Sequence, residues 1–201
     1  MHVLPEAKAL VGPIYSAALF AEIGRLASTI PPPELAIQWD CTQPVEYERA
    51  DAGRRRETVD EMSRLSDHVP VGVQLGYHLC YGDFEHKHGL QPPSLAVCVE
   101  IANGIAARGS RPVDWVHMPV PRVRDDAGYV APLDDLRLSG ETRLYLGLVH
   151  FTDGVVGTRR RIATAASVYP DFGIATECGM GRRVGQDIRE LLRIHAAAAR
   201  E

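Results

Sequence analysis

Short apolar runs alternate with helix-like segments along the chain, and this alternation constrains the fold more than any other feature. The runs are residues 35–40 (LAIQWD), 71–79 (VGVQLGYHL), 113–118 (VDWVHM), 144–150 (LYLGLVH) and 172–176 (FGIAT). They are near-continuously apolar or only weakly alternating, which is the pattern of parallel strands covered on both faces. Helical periodicity fills the gaps. In residues 15–28, Leu19, Phe20, Ile23, Leu26 and Ala27 form one apolar face. Residues 53–67 place Val59, Met62 and Leu65 on one side. Residues 94–108 follow Pro92-Pro93, with Ser94 placed as a cap, and end at Gly109. Residues 155–168 and 184–200 give two more helices. This order predicts an α/β domain with a parallel sheet and right-handed crossovers. Residues 119–142 show no regular pattern and are read as a candidate active-site loop.

Composition narrows the functional classes. The chain has 201 residues, 45% apolar and 24% charged, enough for the core of one domain and unlike a disordered chain. Net charge is −4, and the densest cation runs, Arg54–Arg56 and Arg159–Arg161, are three residues long. A strong basic field for nucleic acid or an anionic membrane is therefore not expected. The sequence shows neither 18 consecutive apolar residues nor a signal-peptide layout, so the expectation is a soluble, cytoplasmic protein without a membrane span. Four cysteines, Cys41, Cys80, Cys98 and Cys178, are then expected as thiols rather than disulfides. Cys98 lies in an apolar helical run and is expected to be buried.

Every strand-like run ends in a chemically capable side chain. The first ends in Asp40-Cys41, the second in His78-Leu79-Cys80, the third near His117, the fourth in His150 and the fifth in Glu177-Cys178. In parallel α/β folds the carboxyl ends of the strands form the active-site face. If its strand continues through Cys80, His78-x-Cys80 aims an imidazole and a thiolate the same way. That pair suits Zn²⁺, and Cys178 supplies a third donor. A fourth protein ligand, if there is one, would come from His117, His150 or Glu177. A second histidine cluster, His86 and His88, lies in a charged segment. Glycines flank the thiols, and the ECGMGRR segment would let backbone N–H groups, Arg182 and Arg183 approach an anion.

The segments 37–40 (IQWD), 76–84 (GYHLCYGDF) and 175–183 (ATECGMGRR), in this order, resemble the catalytic domain of cobalamin-independent methionine synthase. More broadly they resemble its superfamily, which includes uroporphyrinogen decarboxylase. The resemblance implies a (β/α)₈ TIM-barrel fold, of which residues 1–201 would be a single C-terminal portion with five of eight strand–helix units. It implies that Asp40 faces the amino-acid substrate and that His78, Cys80 and Cys178 bind zinc. Where the family has a glutamate ligand, this chain offers His117. Exchanging a carboxylate for a neutral imidazole leaves the site one charge more positive.

The resemblance also implies a reaction. Zinc would hold a small-molecule thiol as thiolate for attack on an alkyl donor. Asp40, Glu177 and Arg182 would contact the substrate, and His150 would serve as general acid or base. Other zinc–thiolate chemistry remains open, either addition to an epoxide or carbon–sulfur cleavage. So does a non-catalytic or metal-free partial barrel. A homo-oligomer or another chain completing the barrel is the expected macromolecular partner.

Overall fold

The strands pair in sequence order. They are β1 (Ala36–Cys41), β2 (Gln74–Leu79), β3 (Trp115–Pro119), β4 (Arg143–Val149) and β5 (Gly173–Thr176). Each pairs with the next, and every pairing is parallel. The structure is a computed structural model and describes residues 4–82 and 90–200. His86 and His88 lie outside the described residues. Helix α1 (Pro5–Thr29) precedes the sheet, α2 (Pro44–Tyr47), α3 (Ala52–Arg64), α4 (Ala96–Arg108), α5 (Ala127–Val130) and α6 (Gly154–Ala166) lie between the strands, and α7 (Gly185–Ala198) follows β5. The architecture is α/β, a partial (β/α) barrel whose sheet is not closed.

A 1-2-3-4-5 order with right-handed crossovers puts the helices on one face of the sheet. The burial pattern agrees. Leu75, Tyr77, Leu79, Val116, Met118, Leu144, Leu146 and Leu148 are at most 2% exposed, so the main core lies between sheet and helices. The opposite, open face carries Gln38, Asp40 and Gln74, all exposed or partly so. Two aromatic rings lie along it. Trp115 occupies the space above Gly76, where a Cβ would come within 1.9 Å of the indole, and Tyr145 covers Gly173, where the distance would be 2.4 Å.

Several boundaries differ from the sequence reading. β2 starts at Gln74 because Gly72, with φ +90°, makes a turn there. Ser94 lies one residue before the cap of α4, and its Oγ accepts the Ala96 amide at 3.3 Å. Segment 119–142 is a packed connection rather than an open loop. Asp126 caps α5 by accepting the Tyr129 amide at 3.0 Å, and Tyr129 and Leu133 are fully buried. Asn103 ties it down by donating to Asp135 O (2.8 Å) and accepting the Arg137 amide (2.6 Å).

The largest difference is α1. It runs through Gly12-Pro13, although proline removes one helical hydrogen bond. Its Ala9–Thr29 stretch is long and apolar enough, by length and composition, to cross a membrane. It meets that test on average composition, without 18 consecutive apolar residues. Leu10, Ile14 and Tyr15 are exposed, whereas Ile23 is buried against the core. Glu22 and Arg25 interrupt the stretch and pair at 2.5 Å.

A buried cation fastens α6 to the sheet. Arg161 is 1% exposed. It donates to Leu148 O and Arg122 O at 2.9 Å each, and to both oxygens of Asp153 at 2.6 and 2.8 Å. Opposed by its partial burial, the guanidinium still holds the Asp153 carboxyl below its usual range. Gly157 makes room for this pair, since a Cβ there would lie 1.9 Å from Asp153 Oδ2. Arg161→Met should therefore lower unfolding free energy by about 3–5 kcal/mol, the usual result of stranding one member of a buried pair. Gly157→Ala should lower the thermal midpoint too, even though alanine favours a helix over glycine by about 1 kcal/mol. Urea and thermal unfolding curves check both.

Candidate metal centre

The ladder sets the level of each functional side chain. Asp40 pairs with His78, His78 with His117, and His117 with Tyr145. These four residues form one row across four strands, on the open face by the two-residue period of the strand. Cys80 extends β2 by donating its amide to Cys41 O at 2.8 Å. His78 and Cys80 therefore point the same way, as the sequence spacing requires. Cys178 follows β5, whose last contact to β4 is the Glu177 amide donating to Val149 O at 3.0 Å. Gly179, with φ +81°, then turns the chain back.

These elements bring His78, Cys80 and Cys178 together. One donor atom from each lies within 4.8 Å of the others. The two Sγ atoms are 3.8 Å apart. Two thiolates on one tetrahedral zinc, with Zn–S bonds of about 2.3 Å, lie about 3.8 Å apart. His78 and Cys80 are buried at 5% exposure each, and Cys178 is half-buried. His78 Nε2 is buried without a hydrogen-bond partner among the described residues. The neighbouring Cys80, His78 and Arg182 favour the Cys178 thiolate against the opposing effect of burial, and its pKa falls to about 4. The donor set, the sulfur spacing and the orphaned imidazole nitrogen all fit a zinc ion.

His117 does not join the three donors. Its Nδ1 lies 2.5 Å from His78 Nδ1. The rings are within 18° of parallel with centroids 4.6 Å apart, an edge-to-edge contact at that N···N distance rather than a face-to-face stack. Burial, together with the neighbouring His78, lowers the His117 pKa to about 3. Asp40 is exposed and held by Gln38, whose Nε2 donates to Asp40 Oδ1 at 3.0 Å. Gln38 Oε1 in turn accepts the Trp115 indole N–H at 3.0 Å.

His150 and Glu177 are differently employed than the sequence reading expects. His150 Nδ1 meets Glu177 Oε2 at 3.0 Å, and Nε2 meets Val120 O at 2.8 Å. Both ring nitrogens thus face oxygen atoms of the chain itself and are engaged within it. Glu177 Oε1 accepts Arg183 Nη2, so both oxygens of the expected substrate contact are occupied. Arg183 also lies over the Phe151 ring, 5.2 Å from its centroid. Together these residues clamp the backbone immediately before Cys178. Arg182 is exposed and bonds the Cys178 sulfur. The clamp was not legible in sequence beyond the adjacency of two arginines, because its fourth member is the Val120 carbonyl.

Comparison with known proteins finds no family that matches the chain and no curated protein that matches it.

The clamp has a pH signature. Burial opposes ionisation of Glu177, but the bond and charge of His150 and the contact with Arg183 prevail and hold its carboxyl at about 2 against an ordinary 4.5. A depressed folded-state pKa gives stability that is present above the unfolded value and lost as pH falls through the folded one. The urea midpoint should decline between pH 4.5 and 2, and Glu177→Gln should flatten that decline while lowering the midpoint at pH 7. Urea titrations across this range measure both.

Proposed function

We propose that the chain carries a zinc centre that activates a small-molecule thiol for alkyl transfer, as its motif resemblance to cobalamin-independent methionine synthase implies. The single observation that carries this reading is the convergence of His78, Cys80 and Cys178, with 3.8 Å between the sulfurs. Bound there, zinc supplies a Lewis acid that keeps a substrate thiol as thiolate at neutral pH.

The chain's own residues do the rest. His78, Cys80 and Cys178 would hold the ion from two strand ends, the three protein donors that a catalytic zinc combines with one exchangeable ligand. One neutral imidazole and two thiolates balance a divalent charge, and the soft sulfur-rich set suits a thiolate as that ligand. Asp40 stands one strand away at the level of His78 and is exposed, so it receives a cationic group of the substrate such as an amine. Arg182 lies beside Cys178 on the exposed side and is placed for a substrate carboxylate. His150, Glu177 and Arg183 keep the Cys178 loop in position. The open sheet favours one further element of the proposal, a second copy or another chain that covers the open face and completes the barrel.

Purified protein prepared without chelator should contain about one zinc per chain. A Cys80→Ser, Cys178→Ser double variant should contain none while retaining its circular dichroism. Wild-type protein, but not this variant, should then transfer a methyl group from an added methyl donor to an added thiol, with the methyl thioether and the demethylated donor both detected by mass. Well-folded wild-type protein that takes up no zinc would overturn the proposal.

A further inference from the structure

Histidines that bind metals are commonly oriented through the ring nitrogen that does not touch the ion. In this chain that nitrogen has an unusual partner. His78 Nδ1 lies 2.5 Å from His117 Nδ1, and the two residues are register partners on β2 and β3. We infer that His117 is a positioning residue, which locks the His78 ring through this Nδ1···Nδ1 hydrogen bond and presents His78 Nε2 to the metal without itself binding it. The inference rests on reading His78, Cys80 and Cys178 as a metal centre.

Three observations carry it. First, the His117 ring belongs to no donor group with the two cysteines among the described residues, although it touches His78. Second, the hydrogen bond occupies His78 Nδ1 and leaves Nε2 buried and unpartnered. A metal-binding nitrogen needs a free lone pair, so His78 carries its proton on Nδ1 and donates it to His117 Nδ1. Third, the His117 ring has a place built for it. A Cβ at Gly147 would lie 3.2 Å from His117 Nε2, so glycine on β4 gives the ring its room. His117 as acceptor must be the neutral ring protonated on Nε2, a nitrogen that is likewise buried without a hydrogen-bond partner among the described residues. The substitution of imidazole for the expected carboxylate thus moves this position from ligand to support.

Asparagine and glutamine separate this role from a bulk effect. Asparagine places an amide oxygen near the Nδ1 position, whereas glutamine places it further out. Zinc affinity is measured by competition against a chromophoric chelator at pH 7, and the site is also loaded with Co²⁺ and read by its visible absorption. His117→Ala and His117→Gln should each weaken zinc binding about 10–100-fold. His117→Asn should restore affinity to within about threefold, a rescue range set well inside that loss. All three should keep the wild-type Co²⁺ ligand-field bands, because the ligands are unchanged. A displaced band pattern in His117→Ala would make His117 a ligand and overturn the inference. So would wild-type affinity in His117→Ala, or an asparagine variant as weak as alanine. A wild-type chain that binds neither ion sinks the metal centre itself, and the inference falls with it.

Discussion

The register between β1 and β4 is the constraint on which the site depends. Asp40, His78, His117 and Tyr145 stand level because each neighbouring strand is paired in one particular alignment. Side chains alternate with a period of two, so a slip of one residue in β2 would turn His78 toward the helices and Tyr77 toward the open face. The helix-facing residues prevent this. Leu75, Tyr77 and Leu79 are fully buried, and Tyr77 donates its hydroxyl to Met62 O at 2.9 Å. The apolar face of the strand therefore fixes the position of its chemical face.

Polar ties do the same work where the sheet becomes irregular. The β4–β5 pairing shifts register between Leu146 and Val149, so the ladder alone does not place the Cys178 turn beyond it. Two charged clusters take over. Arg161 grips Asp153 and two backbone carbonyls on one side of the β4 end. Glu177, His150 and Arg183 join the ends of β4 and β5 on the other. Buried charges of this kind are tolerated because each finds an opposite charge or a backbone acceptor.

The parallel strands and the strand-end placement of His78, Cys80 and Cys178 were legible in sequence, because strand period and strand-end chemistry are local properties. The five strand-like runs all become strands, with ends displaced by a few residues. The features hidden from sequence depend on distant partners. Which member of the Arg159–Arg161 run points inward is decided by where α6 docks. The apolar periodicity marks the first helix only from residue 15, whereas α1 begins at Pro5 and carries Gly12-Pro13 within it. His117 was placed at the right strand end, but one sequence cannot say whether a level imidazole meets a metal or a neighbouring ring. His150 likewise sits where expected, and its partners Val120 and Glu177, 30 and 27 residues away, decide what it does.

The glycine two residues before His78 has a wider bearing. Gly76, His78 and Cys80 occupy alternate positions along one strand and its extension, and so share the open face. The Trp115 indole lies across Gly76 from the next strand and is braced by Gln38 from the strand before. The donors thus stand on an aromatic floor whose presence obliges a residue without a side chain at that point. A divergent chain built on the same plan should betray itself by a coupled pattern. It would show glycine, histidine and cysteine at alternate positions of one strand, with a large flat ring opening the next strand. That fingerprint joins two segments far apart in sequence, and it can survive after the residues between them have drifted beyond recognition.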